Sequence, residues 1–289
     1  MAGHENNTNN GTIFSIDALL PSQMALKAED VGVAKANLDN FQVFLLAVLA
    51  GAFIAFASQF YTLSIIDTEK FVGYGVTRII GGLAFSLGLI LVVIGGAELF
   101  TGNNLKVMAL ASGRVTISQV LRNWIIVYIG NFVGSVGVVY GVYLTGQHSF
   151  AGSHIGAAAL NIAEAKCALP FVPALFRGIF CNIFVCLAVW LCYSARSNTD
   201  KVLCIMFPIT AFVAAGFEHC VANMYFIPMG LLLKSNGSFL ASIGKTAADF
   251  SHLSMRGLIS NLIPVTIGNI IGGSVLVGVI YWLIYRRKK

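Results

Sequence analysis

Six apolar stretches divide the chain, at approximately Phe41 to Ile66, Tyr74 to Ala111, Ile117 to Leu144, Ala168 to Tyr193, Val202 to Leu233 and Leu258 to Tyr285. Each is long enough to cross a hydrocarbon core, which takes about 20 residues of helix. Helix is required, because an open sheet edge leaves its N–H and C=O groups unpaired in lipid. The second and fifth stretches are longer than one span needs, and polar and small residues interrupt each near its middle. These two predict broken helices.

The pattern also repeats. NWIIVYIGNFVGS from Asn123 aligns with NLIPVTIGNIIGGS from Asn261, so that Asn123, Val127, Ile129, Gly130, Asn131 and Gly134 recur at Asn261, Val265, Ile267, Gly268, Asn269 and Gly272, at a constant offset of 138. A weaker echo joins the two interrupted stretches, where Glu98 and Asn103 reappear as Glu218 and Asn223 at an offset of 120. Three crossings per half force the second copy to insert upside down, and inverted repeats with paired broken helices mark transporters and channels with a site near the midplane. Loose backbone at a break is tolerated only where it lines a pore or meets buried side chains. The pore is therefore expected to run past Ala97 to Asn104 and Gly216 to Asn223. The fold expected is an all-α membrane protein of six transmembrane helices in two inverted three-helix repeats, about 41–145 and 168–286. A polar segment, 1–40, precedes this 41–286 channel domain, and a basic tail, 287–289, follows it.

Composition agrees with a bilayer protein. With 57% hydrophobic residues, 10% charged residues and a mean hydropathy of +0.82, too little polar surface is present to coat a water-soluble globule. The net charge of +6 gathers in short loops and at Arg286, Arg287, Lys288 and Lys289, which fits anionic lipid and not a nucleic-acid groove. Lys106, Arg114 and Arg122 flank the second loop and Arg196 and Lys201 the fourth, whereas the other loops mix charges, so both termini are predicted cytoplasmic. The opening shows no apolar core behind a basic head, and a secretory signal is not expected. The six cysteines form no CxxC spacing, so neither zinc nor a dithiol pair is expected, and no metal or other cofactor is assigned.

Glu98, Thr101, Asn103, Glu218, His219 and Asn223 crowd the two breaks, an unusual density of polar groups at bilayer depth. Glu98 and Glu218, being symmetry-related, read as supports that hold loose backbone ends; direct contact with a solute is the other reading. His219 differs, because its counterpart at the same offset is Leu99. A residue present in one half only is not needed by the shared scaffold, which points His219 toward function, with the Thr101 hydroxyl near it. An anion in a dry pore loses hydration at large cost, and such groups can offset it with hydrogen bonds or a proton. Phe85, Leu89, Leu99, Phe212, Val185 and Ala222 are candidates for apolar constrictions, with ordinary helix packing as the alternative for each. Lys166 is placed to draw anions to the outer mouth, unless it is merely solvated. Arg177 lies some nine residues into the fourth span, roughly 13 Å at helical rise, and needs a partner or a route to the interface.

Other classes fit less well. A water or glycerol channel needs an NPA tripeptide at each half-helix, and the chain has none. An enzyme built on Glu218 and His219 lacks HExxH, GxSxG and a second histidine at ligand spacing, since His4, His148, His154 and His252 fall in expected loops or the tail. A purely structural scaffold is the third reading.

The run VIGGAELFTG, Val93 to Gly102, and the run GIFCNIFVCLA, Gly178 to Ala188, resemble the two signature motifs of the formate/nitrite transporter family. GFEHCVANM, Gly216 to Met224, resembles its histidine loop. LLPSQMALKAEDVGVAKA, FSHL at Phe250 and NLIPVTIGNIIGG at Asn261 are most similar to the formate-channel members, and the likeness runs from about Phe14 to Tyr285. It implies an aquaporin-like protomer in a homopentamer of the bacterial inner membrane. The implied activity is passage of formate and related small monovalent anions and not an enzymatic reaction, with nitrite or hydrosulfide as the alternative solute. Carried over by motif, His219 is the central pore histidine, donating a hydrogen bond or a proton, and Thr101 is its partner. Asn182 and Asn269 stand near the central chamber, and the six apolar residues named above form the constrictions. Lys166 stands at the periplasmic vestibule. The segment before Phe41 is a mobile cytoplasmic helix that influences opening and offers a place for a cytoplasmic partner. Arg177 departs from the uncharged residue of the formate-channel members.

Overall fold

A computed structural model describes residues 18–287, and among these the regular structure is entirely helical. The opening through Asp17, with Phe14, and the final Lys288 and Lys289 lie outside the described residues.

Helix α1 (Pro21–Ala36) precedes the crossings, with proline in its first turn, where no intrahelical N–H bond is lost. The first crossing is α2 (Asn40–Ile65), opened by Asp39, whose carboxylate accepts from the N–H groups of Phe41 and Gln42 at 3.0 Å each. The second begins as α3 (Glu69–Gly95), which stops at Gly96 in the left-handed region, φ 79°. It resumes as a 3-10 turn, Gly102–Lys106, and α4 (Val107–Ala111). The third is α5 (Ile117–Leu144), capped by Thr116 and Gln119 in a reciprocal capping box.

In the second half, α6 (His154–Cys167) fills the connection ahead of the fourth crossing, α7 (Phe171–Ser194). The fifth is a broken pair, α8 (Asn198–Ala214) and α9 (Cys220–Ser235), parted at Gly216 with φ 75°. Gly96 and Gly216 thus end the two half-helices in the same conformation, at the offset already set by Glu98 and Glu218. After α10 (Gly237–Ser242), the sixth crossing runs from α11 (Met255–Ile270) through a π-wound stretch, Ile271–Val279, into α12 (Ile280–Tyr285).

The repeated glycines let backbones touch. A Cβ on Gly134 falls 2.0 Å from the Val48 carbonyl oxygen, and one on its repeat mate Gly272 falls 2.1 Å from that of Ile179. Gly130 and Gly268 meet Ala47 and the Leu175 carbonyl just as closely, at 2.5 and 2.2 Å. The α2–α5 and α7–α11 contacts are therefore one contact used twice, and α3 packs against α8 where the halves meet. Such close approach through small residues is how helices associate in lipid, where apolar burial supplies no drive. Tyr128 and Thr266, a repeat-related pair, hydrogen-bond to each other at 3.0 Å, which places them at the pseudo-twofold axis.

Helix α1 is seated on the bundle of crossings. Met24, Ala25 and Ala28 bury against Met108 and Trp190, and Ala36 against Ala109, Val115 and Val120. Glu29, fully buried, accepts from Arg286 Nε at 2.8 Å, Ser112 Oγ at 2.6 Å and Arg114 Nη1 at 3.4 Å. Burial works against this carboxylate, but the bonds from Arg286 and Ser112 outweigh it and hold its pKa below the usual range, while that of Arg286 is raised. The contact also puts both described ends of the chain on one side of the molecule, the terminal side; the opposite one is the distal side.

Candidate functional site

Each break is held by the same device. In the first half, Asn131 Oδ1 accepts from the Phe100 N–H at 3.0 Å while its Nδ2 donates to the carbonyls of Ala47 and Glu98. In the second, Asn269 Oδ1 accepts from the Cys220 N–H at 3.0 Å and its Nδ2 donates to Gly178 and Glu218. Asn103 Nδ2 donates to Glu98 Oε2 at 2.7 Å and to Asn123 Oδ1; Asn223 Nδ2 donates to Glu218 Oε2 at 2.7 Å and to Asn261 Oδ1. The backbone groups freed by the breaks are satisfied by side chains that recur through the repeat.

Each glutamate also has a lysine. Glu218 Oε1 accepts from Lys166 Nζ at 2.9 Å, and Glu98 Oε1 faces Lys35 Nζ at 2.8 Å. Lys35 belongs to α1, so the terminal-side pair is completed by a helix outside the repeat. Lys106, 2% exposed, stands 3.8 Å from the other oxygen of Glu98. Neither Lys35 nor Lys106 stood out in the sequence as part of the site. Lys35 lies in a polar segment, and Lys106 reads as a topology signal.

Two cavities of about 210 Å³ each approach one another from opposite sides. The terminal vestibule is bounded by α1, Glu98, Lys35 and Lys106 and reaches Leu89 and Leu99. The distal vestibule is bounded by Lys166, Glu218, Arg78 and Arg177 and reaches Phe85, Phe212, Ala222 and His219. Between them lies a chamber of about 10 Å³, enclosed by Phe85, Leu89, Leu99, Val185, Phe212 and His219, together with Ile54 and Ile209. That is about the space of one water. Ile54 and Ile209 give no signal in sequence, being isoleucines in apolar helices.

His219 projects into this chamber. Its ring stacks on Phe212 at 6.2 Å and meets Phe85 edge-on at 6.5 Å. Nδ1 accepts the Ala222 N–H at 3.1 Å, which makes His219 the N-cap of α9, and Nε2 lies 3.0 Å from Thr101 Oγ1. A nitrogen that accepts an N–H carries no proton, so this geometry assigns the proton of the neutral ring to Nε2. Nε2–H then donates to Thr101 Oγ1, and the Thr101 hydroxyl hydrogen is free for another acceptor. Asn182 and Asn269 stand one layer behind. Asn182 Nδ2 donates to the backbone oxygens of Thr101, at 3.3 Å, and Asn269, at 2.6 Å, and Asn269 is fully engaged in holding the second break.

The chain is matched over residues 22–283 by the model of the family described as "Formate/nitrite transporter". It is 46% identical over 275 residues to the Formate channel FocA of Escherichia coli (strain K12), spanning 94% of this chain and 96% of that one. It is 43% identical over 265 residues to the Formate channel FocA of Haemophilus influenzae, spanning 91% and 93%. Among solved structures, one described as "Pentameric formate channel with formate bound" superposes with a TM-score of 0.80 at 46% identity, covering 86% of this chain and 98% of that chain. A second, described as "FNT family ion channel", gives 0.77 at 28% identity, with 91% and 99% covered.

Proposed function

The chain belongs to the formate/nitrite transporter family, and on that footing we propose that it is a channel for formate and similarly small monovalent anions. It works as a homopentamer with one pore per protomer in the bacterial inner membrane, both termini cytoplasmic. The observation that carries this reading is His219, a polar residue of one half only, facing a narrow apolar chamber between two cation-bearing vestibules.

The anion first meets lysine and arginine at a vestibule, where low-dielectric walls strengthen their attraction. It then sheds water to pass Phe85, Phe212 and Ala222 on one side or Leu89 and Leu99 on the other. The space between the vestibules is about that of one water, so these side chains move to let a larger solute pass. Inside, the Thr101 hydroxyl is free to donate to an anion, and His219 Nε2–H becomes a second donor once it turns from Thr101 Oγ1 to the anion, backed by the positive end of α9. A proton added at Nδ1 breaks the cap bond from Ala222. On this reading His219 gives a hydrogen bond, and formate crosses as an anion.

The test is a competition series in proteoliposomes with formate, nitrite and hydrosulfide, at one pH above and one below the unperturbed imidazole pKa of about 6.5. Formate is expected to be the fastest of the three at both. Flux no faster than through empty liposomes refutes a channel, and preference for nitrite or hydrosulfide moves the substrate to that anion.

A further inference from the structure

The asymmetry that sets His219 apart from the scaffold sets apart a second residue beside the pore. In the first half the Glu98 N–H donates to the Leu46 carbonyl at 3.2 Å, and in the second the Glu218 N–H donates to the Arg177 carbonyl at 3.2 Å. The same backbone bond to the same glutamate is made by a leucine in one half and an arginine in the other. The scaffold uses the carbonyl; it has no use for the guanidinium.

That guanidinium lies at the distal vestibule, among three cations that are not equivalent. Lys166 is paired with Glu218 at 2.9 Å, so the two present little net charge. Arg78 donates to the carbonyls of Val213 and Ala214, at the negative end of α8, and to the Tyr61 hydroxyl, which offsets part of its charge. Arg177 is exposed, and its side chain makes no hydrogen bond or ion pair among the described residues. In the terminal vestibule Lys35 and Lys106 share one carboxylate, Glu98, at 2.8 and 3.8 Å, and Lys106, whose Nζ has no hydrogen-bond partner among the described residues, is buried where Arg177 is exposed.

We infer that Arg177 is the anion-collecting charge of the distal vestibule: it concentrates small monovalent anions at that mouth and raises formate passage, in both directions, when salt on the distal side is low. This deepens the channel reading and rests on it. Arginine suits the task because it stays charged at every physiological pH. One exposed charge acts across a vestibule only when screening is weak, with a Debye length of about 30 Å at 0.01 M against about 3 Å at 1 M.

The experiment measures formate flux across oriented proteoliposomes of neutral lipid, with ionic strength set at about 0.01 M or about 1 M on each face separately and orientation read from protease access to α1. Arg177→Leu restores the residue type of the first half, and Arg177→Lys keeps the charge. With low salt on the distal face Arg177→Leu is expected to cut formate flux about 3- to 10-fold in both directions and to match the unsubstituted channel at high salt; Arg177→Lys is expected to retain most of the flux. Equal flux in Arg177→Leu and the unsubstituted channel at low salt, or a loss that persists at high salt, overturns the proposal. Should Arg177→Leu fail to assemble, the unsubstituted channel decides alone: its flux must fall more steeply when salt is raised on the distal face than on the terminal face, and equal slopes overturn the role of Arg177. Absence of formate flux from the unsubstituted protein overturns the channel reading beneath it.

Discussion

Replacing His219 by phenylalanine separates what its ring packs against from what its nitrogens do. The ring sits between Phe212 and Phe85, at 6.2 and 6.5 Å, so a phenyl group of similar size keeps both contacts. Two bonds are lost, and both carry a stability cost. The cap on Ala222 is worth about 1 kcal/mol, and the Thr101 hydroxyl, fully buried, is left without its partner at about 1–3 kcal/mol. The channel is expected to assemble with a lowered melting temperature. The loss of function is separate. A hydrogen bond to a charged group contributes about 1.5–3 kcal/mol, and at 1.36 kcal/mol per decade its removal slows anionic formate about 10- to 150-fold. Flux of formate into proteoliposomes near neutral pH, read beside pentamer assembly by size exclusion, checks both parts. Assembled His219→Phe channels that pass formate at the original rate, with an unchanged pH dependence, refute the role given to the imidazole.

Asn131→Ala and Asn269→Ala each remove bonds to one buried N–H and two carbonyls, so each is expected to cost about 3 kcal/mol or more and to lower detergent melting temperatures alike; a normal melt with altered anion preference in Asn269→Ala alone contradicts the scaffold role. Phe85→Ala enlarges a chamber of about 10 Å³ and is expected to raise acetate flux more than formate flux; an unchanged ratio removes Phe85 from the constriction. Because the folded pKa of Glu29 is depressed, its contribution to seating α1 is complete above the unfolded glutamate pKa of about 4.3 and is lost as pH falls through the folded value. Amide exchange along Pro21–Ala36 is therefore expected to stay slow between about pH 7 and about pH 5 and to quicken only below about pH 4; loosening at about pH 6 assigns the switch to another group.

The crossings were legible because bilayer depth imposes length and hydropathy directly. The third runs from Ile117 to Leu144 in both sequence and structure, and the first differs by one residue at each end. The inverted repeat was legible because close backbone contact admits only glycine at Gly130, Gly134, Gly268 and Gly272, and because the breaks need Asn131 and Asn269. Helix α6 was not, since its short, mixed face with Glu164 and Lys166 gains its burial from α9. Lys35 escaped notice because its partner Glu98 is distant in sequence and only the docking of α1 joins them. Asn182 and Asn269 were expected near the chamber, and the structure places them behind the loops that carry Thr101 and His219. Hydropathy sees that a polar group is buried; it does not see which layer it occupies.

The central claim is that His219, with its proton on Nε2 and its Nδ1 committed to α9, gives formate a hydrogen bond and keeps its proton. The direct measurement is the charge moved per formate in oriented proteoliposomes at neutral pH, from current under voltage clamp and formate flux on the same preparation. The account predicts one net negative charge for each formate. Formate flux with no accompanying charge contradicts it, because the proton must then travel with the anion.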